Sequence, residues 1–152
     1  MSLEDKINAD IKTAMLAREK EKLEALRGVK AAILLAKTEK GSGTELNQEK
    51  EIQLLQKLIK QRKEAGEIYK SQNREDLSEP EFYQARVIEQ YLPAQMDIEG
   101  VKTIIKEIIQ TENATTIKDM GKVMGIASKK LAGQCDNKTM SEIIKKLLSG
   151  EV

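Results

Sequence analysis

The sequence predicts an all-α protein with two helical subdomains, residues 1–92 and 93–152, and three observations support this prediction. Only 9 glycines and 2 prolines occur in 152 residues, which leaves little material for the turns of a many-stranded sheet. Aromatic side chains make up 3% of the chain and charged side chains 34%, and this charged fraction exceeds the ~25% usual in globular chains. Apolar residues recur at spacings of three and four along most of the chain, as on one face of a helix.

The first two predicted helices are amphipathic. The first begins at Ser2, a hydroxyl residue followed three positions later by an acid as in a capping box, and its apolar face extends to Met15. The second carries apolar residues from Leu23 to Leu34 and is either a separate helix or a bent continuation of the first. The glycines of segment 41–43 are expected to end it.

The third and fourth predicted helices lead to the strongest boundary in the chain. Asn47 is expected to cap the third helix, which extends to about Gln72. The fourth is expected to run from about Pro80 to Leu92, because Pro93 disfavours the α conformation of the residue before it. The chain before this boundary is therefore predicted to form antiparallel helical hairpins or a bundle, and the chain after it a small three-helix bundle.

Capping residues also define the three C-terminal helices. Asp97 is expected to cap a fifth helix, and Thr115 or Thr116 a sixth. Gly133 is typical of the residue that follows a helix end, so the sixth helix is expected to stop there. Asp136 is well placed to cap the last helix.

The composition excludes several classes of active site. The chain has no histidine, which removes every His-containing triad and every His-ligated metal site. Its one cysteine, Cys135, allows neither an intrachain disulfide nor a thiolate cluster and is interpreted as a packing residue. We therefore predict no catalytic residue, no metal and no cofactor. No targeting signal and no run of about 18 apolar residues is visible, so a cytoplasmic protein without a membrane partner is expected.

Positive charge is concentrated in two places although the net charge is only +1. Residues 113–148 contain seven lysines against three acidic side chains. A second group of basic side chains has no acidic residue between its members. It comprises Lys57, Lys60, Arg62 and Lys63. Either excess can be a solvated helix face or a surface that contacts phosphates. The low aromatic content argues against stacking on single-stranded bases.

The predicted sixth helix places lysines and glycines on one face, at about 100° per residue. This face comprises Lys118, Gly121, Lys122, Gly125 and Lys129, with Lys130 and Lys138 near its edges. The apolar stripe on the opposite side comprises Met120, Val123, Met124, Ala127 and Leu131. Each glycine inside a helix costs about 1 kcal/mol relative to alanine. Two interpretations stay open: a neighbouring helix packs against the glycines, or a sugar-phosphate backbone approaches a smooth cationic surface.

Several short motifs resemble the YqeY family. The most specific is Asp119-Met-Gly-Lys-Val-Met-Gly125, followed by Gly133, Asp136 and an amphipathic terminal helix. Similar motifs upstream are Asp10, Ala14-Met15, Leu26-Arg27, Lys30-Ala-Ala-Ile33, Lys60-Gln-Arg-Lys-Glu64, Arg74-Glu-Asp-Leu77 and Tyr91-Leu-Pro93 with Gln95. The resemblance covers nearly the whole chain and departs from the usual family residues at Ser128 and Cys135. The C-terminal part is also similar to the tail domain of the B subunit of glutamine-dependent aspartyl/glutamyl-tRNA amidotransferase.

The resemblance implies an all-α protein that works with tRNA. The related tail domain contacts the tRNA elbow, which implies RNA binding by the C-terminal subdomain, alone or alongside an amidotransferase or aminoacyl-tRNA complex. Carbon–nitrogen ligase activity with glutamine as amide donor is attached to the family, and we interpret that description as inherited from the amidotransferase. The leading hypothesis is thus a non-catalytic tRNA-binding accessory module. The alternatives are a helical protein-interaction adaptor and an enzymatic component of amide transfer.

Overall fold

The structure is a computed structural model that describes residues 2–39 and 46–150. Over these residues the chain forms seven α-helices, one short 3-10 turn and no β-strand, which confirms the all-α prediction. Segment 41–43, which was expected to end the second helix, lies outside the described residues. Backbone contacts divide the chain into two compact units, Met1–Leu92 and Pro93–Val152.

The first unit contains two helical hairpins that share one apolar core. Its helices are α1 (Leu3–Ala17), α2 (Lys20–Glu39), α3 (Gln48–Ser71) and α4 (Glu75–Glu89). Helix α1 packs on α2, and α3 packs along α4, while α2 also contacts both helices of the second hairpin. The core is built from aliphatic side chains, and the largest of the fully buried ones are Ile7, Leu26, Val29, Ile33, Leu55 and Ile88.

Local backbone features explain where α1 begins and why it ends before α2. The Ser2 hydroxyl accepts a hydrogen bond from the Asp5 N–H, as the predicted capping box requires. Arg18 adopts a left-handed conformation with φ of 59°, so α1 and α2 are two separate helices.

The predicted apolar faces were wrong at Met15 and Leu34, whose side chains are 53% and 45% exposed. Both lie at the edge of a stripe whose centre is already covered by the neighbouring helix.

The connection between α3 and α4 corrects the predicted start of the fourth helix. Asn73 takes a φ of 60°, and the following Arg74 N–H bonds to the Tyr69 carbonyl at 2.8 Å. Helix α4 therefore begins at Glu75 and not near Pro80. Pro80 thus lies inside α4, although a proline at such a position removes a backbone hydrogen bond and crowds the carbonyl four residues earlier. The acidic residues of the first turn, Glu75 and Asp76, interact favourably with the helix dipole. The helix also ends at Glu89, three residues before the predicted end.

The second unit is a three-helix arrangement around its own core. Its helices are α5 (Ile98–Thr111), α6 (Met120–Lys130) and α7 (Asn137–Leu148), and each of them contacts the other two. The predicted caps are present: Asp97 accepts from the Gly100 N–H at 2.8 Å, and Asp136 from the Thr139 N–H at 3.3 Å. The fully buried core side chains include Val101, Ile105, Val123, Ala127, Leu131 and Ile144.

The start of α6 differs from the sequence prediction. The residues after Thr116 form a 3-10 turn, Ile117–Asp119, and the α-helix itself begins at Met120. The Asp119 carboxylate accepts hydrogen bonds from the N–H groups of Thr115 at 3.0 Å and Thr116 at 3.4 Å, which holds this turn in place. Helix α6 ends at Lys130, and Gly133 follows with a φ of 77°, a conformation that favours glycine.

Candidate nucleic-acid interface

Helix α6 and the turn before it present what we call the lysine–glycine face, which comprises Lys118, Gly121, Lys122, Gly125 and Lys129. All five residues are exposed. The opposite stripe lies in the core of the second unit, because Val123, Ala127 and Leu131 are fully buried there. Lys118 lies in the 3-10 turn immediately before the helix and not in the α-helix itself.

The two glycines of this face have no packing partner among the described residues. A Cβ atom built at Gly121 or at Gly125 meets no described atom within 4 Å outside the helix's own backbone and chain neighbours. Gly66 in α3 is the opposite case, since a Cβ there would lie 2.8 Å from the Phe82 ring of α4. Close packing of α3 against α4 thus explains why position 66 is a glycine. No such contact with a described residue explains Gly121 or Gly125.

Lys122 is held by acidic groups of its own unit. Its ammonium group lies 3.1 Å from the carboxylate of Glu112, which caps the C-terminus of α5. The pKa of Asp119 is lowered, first by the hydrogen bonds from the Thr115 and Thr116 N–H groups and to a smaller extent by the charge of Lys122. Lys122 is therefore the lysine of this face whose charge is compensated internally.

The remaining candidate lysines are exposed and carry uncompensated charge. Lys118, Lys129, Lys130 and Lys138 form no ion pair with any residue in the described ranges. Lys129 and Lys130 lie in the last turn of α6, where a positive charge is favoured by the helix dipole. The second unit thus carries several exposed lysines without an ion pair among the described residues, in addition to two open glycines on α6.

The second basic cluster, on α3, is largely neutralised. Lys60 lies 4.0 Å from Glu64, Arg62 lies 3.4 Å from Glu81, and Lys63 lies 2.7 Å from Glu89. Only Lys57 among its four members makes no ion pair with a described residue. Because Glu81 and Glu89 belong to α4, sequence spacing gave no sign of these pairs. This cluster presents much less free charge than its sequence suggests.

Cys135 belongs to the core of the second unit and is not presented for chemistry. Its side chain is 8% exposed and packs among the apolar residues of that core. Burial raises the pKa of its thiol, and the charge of Asp136 raises it further. The reactive thiolate form is therefore disfavoured at neutral pH. In residues 2–39 and 46–150, no three Cys, Asp or Glu side chains converge on a point that could hold a metal ion.

Three residues of the quoted motifs make hydrogen bonds that tie chain segments together. The Tyr91 hydroxyl donates to the Asp10 carboxylate, which links the end of the first unit to α1. The Gln95 side chain donates to the Gly133 carbonyl at 2.6 Å and to the Pro93 carbonyl at 3.2 Å. These contacts give Asp10, Tyr91 and Gln95 structural roles.

These features define an all-helical protein whose second unit displays an open basic helix face. The family model described as Yqey-like protein matches residues 4–148. The chain therefore belongs to the YqeY-like family. No curated protein is significantly similar to it. None of the helices in the described part of the chain is long and apolar enough to span a membrane.

Proposed function

We propose that the chain is a non-catalytic accessory module of the cytoplasm that binds tRNA through the lysine–glycine face. The observation that carries this proposal is the open space at Gly121 and Gly125 beside free lysines. Each glycine costs a helix about 1 kcal/mol, and within the described structure no helix packing offsets that cost. A ligand that must come close to the helix backbone supplies a reason for both glycines.

The chemistry of the face fits a phosphate backbone. Lysine ammonium groups neutralise phosphates and release condensed counterions, and this binding mode needs no base-specific contact. A chain with 3% aromatic residues has little capacity to stack on bases. We therefore expect recognition of a folded RNA by its shape and charge. The resemblance to the amidotransferase tail domain supports tRNA, at its elbow, as that RNA.

Gel mobility shifts with bulk tRNA at two salt concentrations test this proposal. The double variant Lys118→Glu with Lys129→Glu should weaken binding across all tRNA species, because both side chains are exposed and unpaired. Each lost phosphate contact should also reduce the log–log salt slope by about 0.7–0.9. A matched control, Lys12→Glu with Lys20→Glu, makes the same charge change at exposed lysines of the first unit and should leave the slope unchanged.

The control also separates this proposal from its main alternative. If both double variants bind tRNA like the parent protein with the same salt dependence, the face is only solvated. The neutralised cluster on α3 shows that basic runs in this chain can be solvated surface. A helical protein-interaction adaptor would then be the better account.

A further inference from the structure

A second surface of the C-terminal unit lies between α5 and α7. It is a groove of about 480 Å³. Its lining includes three aliphatic side chains, Ile98, Ile143 and Leu147, and three lysines, Lys102, Lys106 and Lys146. None of these residues belongs to the lysine–glycine face of α6.

The aliphatic side chains give the groove an apolar floor that reaches the surface. Ile98 is 58% exposed at the first position of α5. Ile143 is 7% exposed and belongs to the core, and Leu147 is half-buried between these extremes. The three side chains thus lead from the core to the groove mouth. Apolar side chains of a ligand that pack on this floor would remove its exposed part from water.

The rim of the groove carries a net positive charge. Lys102 lies 3.8 Å from Glu99, and both side chains are well exposed, so these two charges largely cancel. Lys106 and Lys146 make no ion pair within the described residues, and Glu142 is the one other acidic residue of the lining. Apart from the Lys102–Glu99 pair, the rim therefore carries two ammonium groups, of Lys106 and Lys146, and one carboxylate, of Glu142. A complementary ligand brings negative charge to this rim.

The aliphatic floor and the positively charged rim together indicate which class of partner fits the groove. An aliphatic floor offers no aromatic ring on which a nucleobase could stack. Amphipathic helices, in contrast, place an apolar ridge into a groove between two helices and leave their polar flanks at its rim. We propose that the α5–α7 groove is a docking site for an amphipathic helix of a partner protein, with aliphatic side chains on its ridge and Asp or Glu at its flanks. This inference goes beyond tRNA binding and does not depend on it.

Fluorescence anisotropy with the full chain and a designed peptide tests the docking site. The probe is a labelled helix of about five turns, ~18 residues, with Leu at one-turn spacing and Glu on both flanks. Its matched control replaces every Glu with Lys. We expect saturable binding of the acidic peptide and at least about threefold weaker binding of the basic one. Absence of saturable binding by the acidic peptide, or equal affinity for both peptides, would overturn the proposal.

Two neighbouring lysines locate the peptide on the protein. Lys146→Glu should weaken binding of the acidic peptide by about threefold to tenfold, because Lys146 lines the groove. Lys145→Glu makes the same change one residue earlier in the same last turn of α7, outside the lining, and should change it by less than about twofold. Ile98→Ser tests the floor at an exposed position and should also weaken binding. Circular dichroism verifies that each variant is folded.

The same variants distinguish a protein site from an RNA site. Lys106→Glu and Lys146→Glu should leave the affinity for tRNA as it is, since neither lies on the lysine–glycine face. A loss of tRNA affinity equal to the loss of peptide affinity would assign the groove to RNA and overturn the proposal. Equal losses of peptide affinity in Lys145→Glu and Lys146→Glu would also overturn the proposal, because the affinity would then depend on the overall charge of the protein and not on the groove.

Discussion

Gly66 and Gly125 lie in opposite surroundings, one against a neighbouring helix and one in open space. Gly66 lets α3 approach α4, since a Cβ there would lie 2.8 Å from the Phe82 ring. Gly125 faces open space. Gly125→Ala should therefore raise the free energy of unfolding by about 0.5–1 kcal/mol through helix propensity, while Gly66→Ala should lower it because Phe82 must move. Thermal and urea denaturation followed by circular dichroism measure both changes.

A larger side chain at the same position separates stability from binding. Gly125→Leu should keep the helix stable, because leucine is a good helix former and the site is open. If the face binds tRNA as proposed, the variant should nevertheless weaken binding, since the leucine side chain would occupy the space proposed for the RNA backbone. A loss of stability in Gly125→Leu with unchanged tRNA affinity would instead mean that a protein segment covers this glycine.

The hydrogen bond from Tyr91 to Asp10 gives a pH-dependent contribution to stability. Burial raises the pKa of the Tyr91 hydroxyl above the ordinary value of 10.0, and the bond to Asp10 raises it further. The folded state thus binds this proton more tightly than the unfolded state, so the stabilisation is complete below pH 10 and declines as the pH rises above it. Tyr91→Phe should cost about 1–2 kcal/mol at pH 7. The difference between variant and parent should shrink above pH 10 in urea titrations, and a constant difference would contradict this account.

At the scale of helices, the caps were predictable from sequence and the surroundings of side chains were not. Ser2, Asn47, Asp97 and Asp136 each accept a hydrogen bond from the first turn of a helix, as expected, because capping depends only on residues three positions apart. The exposure of Met15 depends on which neighbouring helix covers it, and a single helix's pattern does not contain that information. The start of α4 lies before Pro80, because the acidic first turn begins the helix and the proline inside it does not prevent helix formation.

The same reasoning explains how much of the candidate site could be predicted. The lysine–glycine face follows from helical periodicity within a short segment, so sequence alone places its members together. The ion pair between Lys122 and Glu112 joins residues of two helices, and the partners of Arg62 and Lys63 lie on α4. Such pairs depend on tertiary packing. The sequence therefore located the positive charges but not the carboxylates that compensate some of them.

Limited proteolysis tests the segment that connects α4 to α5. Residues 90–97 form no helix, and Ala94 and Gln95 within them are exposed. Early cleavage by a protease of broad specificity is expected near Ala94 and in the predicted loop at 40–45, because cleavage needs exposed, non-helical backbone. Mass spectrometry of the first fragments identifies the cuts. Early cleavage within α3, with both of these places protected, would show that the long third helix is less stable than described.

At the scale of the whole molecule, each unit has its own apolar core, and reactive side chains are scarce. No histidine is present in the chain, and its one thiol is buried with a raised pKa. The hydroxyl of Ser78 is buried and donates to the Glu75 carbonyl within α4. The α6 face and the α5–α7 groove are the two surfaces for which binding functions are proposed.

We accordingly expect that the purified chain neither hydrolyses glutamine nor amidates misacylated tRNA. Amide transfer from glutamine needs an activated nucleophile and an acid–base group near the substrate, and the chain offers neither a histidine nor an exposed thiol for these roles. Ammonia release from glutamine and amidation of misacylated tRNA are measured side by side, with an active amidotransferase as the positive control. Turnover by the parent chain that a single substitution such as Cys135→Ser abolishes would refute the prediction, because contaminating enzyme would not respond to that substitution. Turnover that persists in every variant would come from a contaminating enzyme and would not contradict the prediction.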